Sequence, residues 1–199
     1  MITVPAVIIA LTFHEYAHAR IAYHYGDPTA KNAGRLTLNP LKHLDIMGTI
    51  LLIIAHFGWA KPVPVNPNYF DGDRRSKMVL VSMAGPVANL LFAFIVTLIL
   101  MVLVKMNIYI NPYVAQFVLI LLQINIILAV FNLIPIPPLD GSKILAGFLP
   151  ESAENLMYNL ERYGFLILMV LIFTGVFSKI INPFVSGLYH ICLSIAGII

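Results

Sequence analysis

Two histidines and a glutamate near the start of the chain have the spacing of a metal-dependent hydrolase. His14, Glu15 and His18 form the sequence HEYAH. On a helix, residues four positions apart lie one turn above each other, so the two imidazoles can bind one cation while Glu15 reaches a water molecule on it. Zinc binds neutral imidazole at about 2.0–2.1 Å and lowers the pKa of a bound water to about 7. The spacing therefore predicts a zinc site with Glu15 as the general base.

The segments that must position these residues are strongly apolar. Of the 199 residues, 60% are apolar and 11% are charged, and the mean hydropathy is +0.90; these values are typical of an integral membrane protein. Apolar runs are found at residues 2–25, 46–57, 78–104, 113–134, 165–177 and 184–199. The first, third and fourth are long enough to cross a hydrocarbon core of about 30 Å as helices. The second suits a re-entrant or partly inserted element, and the last two suit short or tilted spans.

A proline-rich segment follows the second apolar run. At residues 58–67 proline alternates with valine, which excludes a helix and favours an extended edge strand. Such a strand could pair with the main chain of a substrate, although a plain connector has the same composition. We therefore expect an all-α polytopic membrane protein with about five to six transmembrane or partly inserted helices and a small extended or β re-entrant element after the first span.

Basic residues are unevenly distributed between the loops. Ten of the twelve lysines and arginines lie between the first two long spans or between the third and the apolar run at residues 165–177. The positive-inside rule makes this side cytoplasmic, so the N-terminus is expected outside and the active site is expected to open toward the cytoplasm. The net charge of +3 then reflects topology. Because the basic residues are spread through loops without interleaved aromatic residues, nucleic-acid binding is not expected.

A catalytic zinc site needs a third protein ligand, and Asp140 is the best-placed carboxylate. The chain has one cysteine, Cys192, so the ligands must be histidine and carboxylate. Asp140 follows a run in which three prolines, between residues 135 and 138, stop the preceding helix at bilayer depth. Non-helical backbone is tolerated there only beside protein or a water-filled cavity. Asp140 is thus predicted either to face that cavity as a ligand or to cap the helix that follows it.

Three motifs, each in its own apolar segment, together resemble a known family. HEYAH in the first span, GPVAN at residues 85–89 and NLIPIPPLDG at residues 132–141 are similar to the three signatures of the site-2 protease family of intramembrane zinc metalloproteases. The resemblance covers residues 13–147. It implies that His14, His18 and Asp140 bind one Zn²⁺ per chain.

The same resemblance implies further roles and an overall organisation. Glu15 would activate the zinc-bound water, and Asn89 and Asn132 would position substrate or stabilise the oxyanion. The chain looks like the compact form without PDZ or CBS domains, a single membrane-embedded metalloprotease domain over residues 1–199. Its core would be residues 1–147 and its flanking C-terminal helices residues 163–199.

The function expected from these features is hydrolysis of peptide bonds within or near transmembrane segments of membrane-tethered proteins. Substrates would be single-span membrane proteins or signal-peptide-like segments in the bilayer of a prokaryotic cell membrane. Two alternatives are a metal-ion transporter and a non-catalytic scaffold that binds transmembrane segments. The transporter is less favoured because the chain has no inverted repeats, and the intact zinc motif argues against the scaffold.

Overall fold

The described part of the protein is built from helices. The computed structural model describes residues 2–45, 47–48, 50, 54 and 60–199. The helices are α1 (Thr3–His24), α2 (Thr29–Asn32), α3 (Arg74–Lys105), α4 (Pro112–Asn132), α5 (Asp140–Phe148), α6 (Glu154–Phe173) and α7 (Val176–Ala196), with 3-10 turns at Pro40–Lys42, Pro67–Tyr69 and Glu151–Ala153. No strand occurs among these residues, where an isolated bridge joins Leu44 and Ala60. The all-α prediction is confirmed.

Three of the described helices are long and apolar enough to cross a membrane. They are α3, α4 and α7, with 32, 21 and 21 residues. Helices α1 and α6 have comparable lengths of 22 and 20 residues but are not among the three. The expected count of five to six spans is therefore not confirmed. The predicted re-entrant run at residues 46–57 lies outside the described residues, apart from positions 47, 48, 50 and 54.

Helix α3 lies at the centre of the bundle and packs against α1, α4, α5 and α7. Small residues form much of this contact: Ala6, Ala93 and Ala196 are buried in one cluster together with Leu100 and Leu122. Small side chains let transmembrane helices approach closely. As a result, polar side chains on one helix can reach the backbone of the next.

The proline-rich segment is extended but does not form the predicted strand among the described residues. Pro62 and Pro64 have no N–H to donate to a neighbouring strand. The N–H of Lys61 donates to the carbonyl oxygen of His43 at 2.9 Å, next to the isolated bridge. The expected β element is therefore not confirmed, because two of its positions have no ladder donor and the N–H groups of Lys61, Val63 and Asn66 bond to a loop carbonyl and to side chains.

Two buried charged residues hold this segment beside α1. The carboxylate of Asp27 is fully buried and accepts the N–H groups of Thr29 at 2.9 Å and Asn66 at 2.7 Å. The guanidinium of Arg35 is buried and donates to the carbonyl oxygens of Lys61 and Pro62. Residues 61–66 are thus fixed at both ends.

The helix break before Asp140 occurs where the prolines predict it. Helix α4 ends at Asn132 and α5 begins at Asp140. A Cβ atom at Gly141 would overlap the carbonyl oxygens of Leu133 and Ile134, so the absence of a side chain lets α5 fold back against the end of α4. This return places Asp140 inside the bundle.

The two C-terminal helices are longer than the apolar runs predict. Helix α6 begins at Glu154 rather than near residue 165, because the amphipathic stretch before the apolar run continues the same helix. Gly175, in the left-handed conformation with φ of 72°, separates α6 from α7. A positive φ is unstrained only for glycine, so the two runs become separate helices there.

Candidate metal centre

Three potential metal ligands meet at one point inside the bundle. His14 and His18 lie one turn apart on α1, and Asp140 is the first residue of α5. Their side chains are buried, and the two Nε2 atoms are 3.0 Å apart. Asp140 Oδ2 lies 3.1 Å from each Nε2. Among the described residues, these three form a group that could hold a metal ion.

The triangle of donor atoms fits zinc. A tetrahedral zinc ion with bonds of about 2.0–2.1 Å separates its ligand atoms by about 3.3 Å. The observed separations of 3.0 and 3.1 Å are close to that value. Two imidazoles and one carboxylate are a donor set of catalytic zinc sites, in which a fourth position stays open. The N-cap position of α5 is occupied by Leu139 and not by Asp140, and the Asp140 carboxylate contacts the two imidazoles.

The outer nitrogen of each imidazole is hydrogen-bonded to α3. His18 Nδ1 lies 2.7 Å from the carbonyl oxygen of Val81, which can only accept, so Nδ1 carries the proton. His14 Nδ1 lies 2.6 Å from Oδ1 of Asn89. With Nδ1 protonated, Nε2 of each ring has a free lone pair for a metal, and the ring is held in the required orientation.

The orientation of Asn89 is itself fixed by two acceptors. Its Nδ2 donates to the carbonyl oxygen of Ala10 at 3.1 Å and to Oδ1 of Asn125 at 2.9 Å. Asn125 in turn donates to the carbonyl oxygen of Leu121 at 2.8 Å. These bonds leave Oδ1 of Asn89 as the acceptor that faces His14. Asn89 therefore lies fully buried behind the imidazole.

Glu15 lies beside the three ligands, and its carboxylate is held by a backbone N–H group of the extended segment. Its Oε2 accepts the N–H of Val63 at 2.8 Å, from the extended segment. Glu15 also lines a cavity of about 120 Å³ together with His14, His18 and Asp140. The carboxylate is thus adjacent to the position that a metal-bound water or a substrate would occupy.

Several known proteins that are similar to this chain in sequence carry zinc metalloprotease in their names. A profile of Peptidase family M50 matches residues 104–175. A Bacillus subtilis protein named "Putative zinc metalloprotease YwhC" is 44% identical over 185 residues, covering 91% of this chain and 84% of that protein. The chain belongs to Peptidase family M50. A Mycolicibacterium smegmatis protein named "Putative zinc metalloprotease Rip2" is 32% identical over 181 residues, covering 86% of this chain and 66% of that protein.

Membership of family M50 confirms several predictions from the sequence. The resemblance to the site-2 protease family was correctly identified, and the protein is a zinc metalloprotease. The three apolar helices agree with a multi-pass membrane protein. Membership favours the protease over the transporter and scaffold interpretations. No solved structure matches the chain significantly.

In this M50 metalloprotease, Asn132 lies where two cavities meet. It lines the cavity at the metal centre and also a larger, mostly apolar cavity of about 460 Å³. The larger cavity lies among α1, α4 and α6; its lining includes Leu128, Phe131, Leu168 and Ile172. Asn132 donates one amide proton to the carbonyl oxygen of Leu128 at 3.0 Å, and its second amide proton is available for another bond.

Two contacts at this centre were missed by sequence reasoning. Val81 acts through its backbone carbonyl, and no side-chain pattern signals such a role. Asn125 is one of four amide side chains in the apolar run at residues 113–134, so its residue type alone does not distinguish it.

Gly85 lies directly against the metal centre. A Cβ atom there would lie 2.5 Å from Cε1 and 2.6 Å from Nε2 of His14, and would also overlap Nε2 of His18. Real Cβ atoms do not approach other atoms so closely. Gly85 therefore gives α3 the close approach to α1 that the hydrogen bonds to both imidazoles require.

We predict that Gly85→Ala displaces the two imidazoles and lowers zinc retention by roughly tenfold or more, as expected when ligand orientation is lost. The measurement is zinc content of purified protein after dialysis against a chelator. Gly187→Ala is the matched control, because that α7 glycine has no atom within 4 Å of an added Cβ. Equal zinc contents in the two variants would contradict the prediction.

Proposed function

We propose that the protein is an intramembrane zinc endopeptidase that hydrolyses peptide bonds within or near transmembrane segments of membrane-tethered proteins. The observation that carries the proposal is the convergence of His14, His18 and Asp140 with Glu15 on one cavity inside a helical bundle. Buried ionisable groups in a membrane protein are costly unless they have a function and a partner. Here the geometry of the group fits metal-assisted hydrolysis.

In this proposal His14 Nε2, His18 Nε2 and Asp140 Oδ2 hold the zinc. A zinc ion held there would supply Lewis acidity, which can polarise a carbonyl group and lower the pKa of a water to about 7. Asn89 and the carbonyl of Val81 hold the imidazoles in the metal-binding tautomer. We thus assign Asn89 to ligand orientation, in place of the substrate contact expected from the sequence.

Glu15 serves as the proton carrier. Its carboxylate accepts a proton from the attacking water as the new C–O bond forms, and it then delivers that proton to the nitrogen of the leaving amine as the C–N bond breaks. The bond from Val63 to Oε2 fixes one oxygen and leaves the other for this transfer. Asn132 can direct its free amide proton to the substrate carbonyl.

The substrate reaches this centre from the bilayer. The apolar cavity among α1, α4 and α6 adjoins Glu15 and His14 and suits apolar side chains of a membrane-spanning segment. The extended residues 61–66 run beside the same centre and offer backbone groups to an unwound substrate. We therefore infer that single-span membrane proteins or signal-peptide-like segments are the substrates.

Residues 1–199 form one membrane-embedded domain in this proposal. The core covers residues 1–147, and helices within residues 163–199 flank it. Helices α1 and α6 add to α3, α4 and α7 as spanning or partly inserted elements. His18 precedes the end of α1 at His24 by six residues, or about 9 Å of helix, so water can reach the centre from that end.

We predict that Glu15→Gln abolishes cleavage while zinc retention and folding stay unchanged. Glutamine keeps an acceptor for the N–H of Val63 but cannot accept the proton, so the rate falls by roughly 10²–10⁴-fold. The measurement is cleavage of single-span test substrates in detergent, with zinc content determined in parallel. Glu161→Gln, at an exposed position of α6, is the control. Cleavage by Glu15→Gln at the rate of the unaltered protein would refute the role of Glu15.

We predict that Asp140→Asn lowers zinc affinity by at least roughly tenfold, because a neutral amide is a weaker ligand than a carboxylate. The free zinc concentration at half occupancy measures the effect. Asp71→Asn, at an exposed loop position, is the control. Unchanged affinity in Asp140→Asn would remove Asp140 from the ligand set.

We predict that the N-terminus lies outside the cell membrane and that the metal centre opens toward the cytoplasm. In a Cys192→Ser background, Tyr109→Cys should react with a membrane-impermeant maleimide in intact cells, and Leu41→Cys should react only after permeabilisation. Both positions are well exposed, at 84% and 75%. The opposite labelling pattern would reverse the orientation.

A further inference from the structure

Ser82 on α3 has a buried hydroxyl group without a partner. The residue is 2% exposed, and its Oγ makes no hydrogen bond. Ser82 lines the cavity at the metal centre together with Glu15, His14, His18 and Asp140. A buried polar group without a partner is unfavourable. Its location in this cavity indicates that the partner is a molecule that enters the cavity.

Three other hydroxyl groups on long helices of this protein bond to their own helix. Thr12 donates to the carbonyl oxygen of Ile8 at 2.7 Å, Thr97 to that of Ala93 at 2.9 Å, and Ser186 to that of Asn182 at 2.7 Å. This back-bonding to the residue four positions earlier is the common solution for serine and threonine in helices. Ser82 has the carbonyl of Met78 at the same spacing and does not bond to it.

The turn of α3 that carries Ser82 is the one that touches the imidazoles. Val81 accepts the hydrogen bond from His18, and Gly85 lies against both rings. Pro86 has no N–H and cannot donate to the carbonyl of Ser82, four residues earlier, as a regular helix would require. This turn of α3 therefore already bonds to the metal centre through the Val81 carbonyl, and the Ser82 hydroxyl on it is unpaired.

Ser82, Asn132 and Lys143 are the side chains lining this cavity that carry hydrogen-bond donors, and its other polar side chains are carboxylates and imidazoles. Glu15 and Asp140 are carboxylates, which accept hydrogen bonds when ionised. Nε2 of each histidine is the lone-pair nitrogen. Hydrolysis of a peptide bond places negative charge on the oxygen of the scissile carbonyl, and this charge needs a hydrogen-bond donor held in place before the reaction.

We propose that the Ser82 hydroxyl donates a hydrogen bond to the oxygen of the scissile carbonyl as water adds to the carbon. The π electron pair of the carbonyl moves to its oxygen, and the hydroxyl proton stays on Ser82. The hydrogen bond from Ser82 is released when the carbonyl re-forms with loss of the amine. This inference rests on the proposed function. Asn132, on α4, is a second donor to the same cavity from a different helix.

The first test compares Ser82→Ala with Ser82→Thr. Loss of the hydroxyl should lower kcat by roughly 10- to 100-fold, near the lower range for removal of one oxyanion donor, with KM, zinc content and Tm unchanged. Ser82→Thr keeps a hydroxyl and should restore most of the rate. Thr97→Val is the control, since it also removes a buried α3 hydroxyl, but one bonded to Ala93.

The second test measures binding instead of turnover. A peptide phosphinate carries tetrahedral phosphorus oxygens in place of the attacked carbonyl, so its affinity for Ser82→Ala should fall by the same factor as kcat/KM. Affinity for an intact substrate, measured with Glu15→Gln and with Glu15→Gln combined with Ser82→Ala, should be equal.

The outcomes separate this inference from the proposed function. If Ser82→Ala cleaves and binds the phosphinate normally while Glu15→Gln is inactive, the role of Ser82 is wrong and the proposed function stands. A lower zinc content or a lower Tm in Ser82→Ala would show that Ser82 has a structural role and would also overturn the inference. If the unaltered protein cleaves no test substrate, the proposed function is unsupported, and phosphinate affinity still decides whether Ser82 binds the oxygen.

Discussion

The contact between one turn of α3 and the two imidazoles of α1 is the constraint on which the rest of the structure depends. Two histidines and an aspartate inside an apolar bundle are unfavourable unless their remaining polar atoms are paired. Helix α3 provides that pairing through the Val81 carbonyl and the Asn89 side chain. The pairing is possible only because Gly85 has no side chain between the helices. The orientation of the metal ligands therefore depends on the close packing of α1 against α3.

The same constraint accounts for the irregular parts of the chain. Asp140 must approach the imidazoles from a different helix, and a continuous α4 could not place it there. The prolines end α4, and Gly141 permits the tight return. On the other side, Arg35 and Asp27 hold the extended segment so that Val63 can bond to Glu15. These two irregular segments thus position the carboxylates of Asp140 and Glu15 at the metal centre.

Sequence reasoning could identify the side chains that are chemically unusual for their surroundings. Histidines at helical spacing, a carboxylate after a proline break and the single amide of the run at residues 78–104 can all be read from the sequence, and the structure brings His14, Glu15, His18 and Asp140 together. Sequence reasoning could not reveal that Asn89 contacts Nδ1 of His14. Both sides of a transmembrane helix are apolar, and the rotation of the helix about its axis is set by packing. The contact of the Val81 carbonyl group with His18 could not be predicted, because every residue has a backbone carbonyl group. Ser82 differs from other helical serines and threonines in having no hydrogen bond from its hydroxyl group, and the sequence does not show this.

The strand prediction fails because the backbone N–H groups of the extended segment are missing or already hydrogen-bonded to other parts of the protein. Pro62 and Pro64 have none, and the N–H groups of Lys61, Val63 and Asn66 donate to His43, Glu15 and Asp27. The alternating sequence predicts an extended conformation correctly, but a strand also needs free donors along one edge. A substrate that lies beside this segment must therefore donate mainly to carbonyl groups of the segment and accept from the N–H of Val65. Because Val63 bonds to Glu15, any shift of the segment on substrate binding also moves the proposed general base, which links the position of the peptide to the position of the proton acceptor.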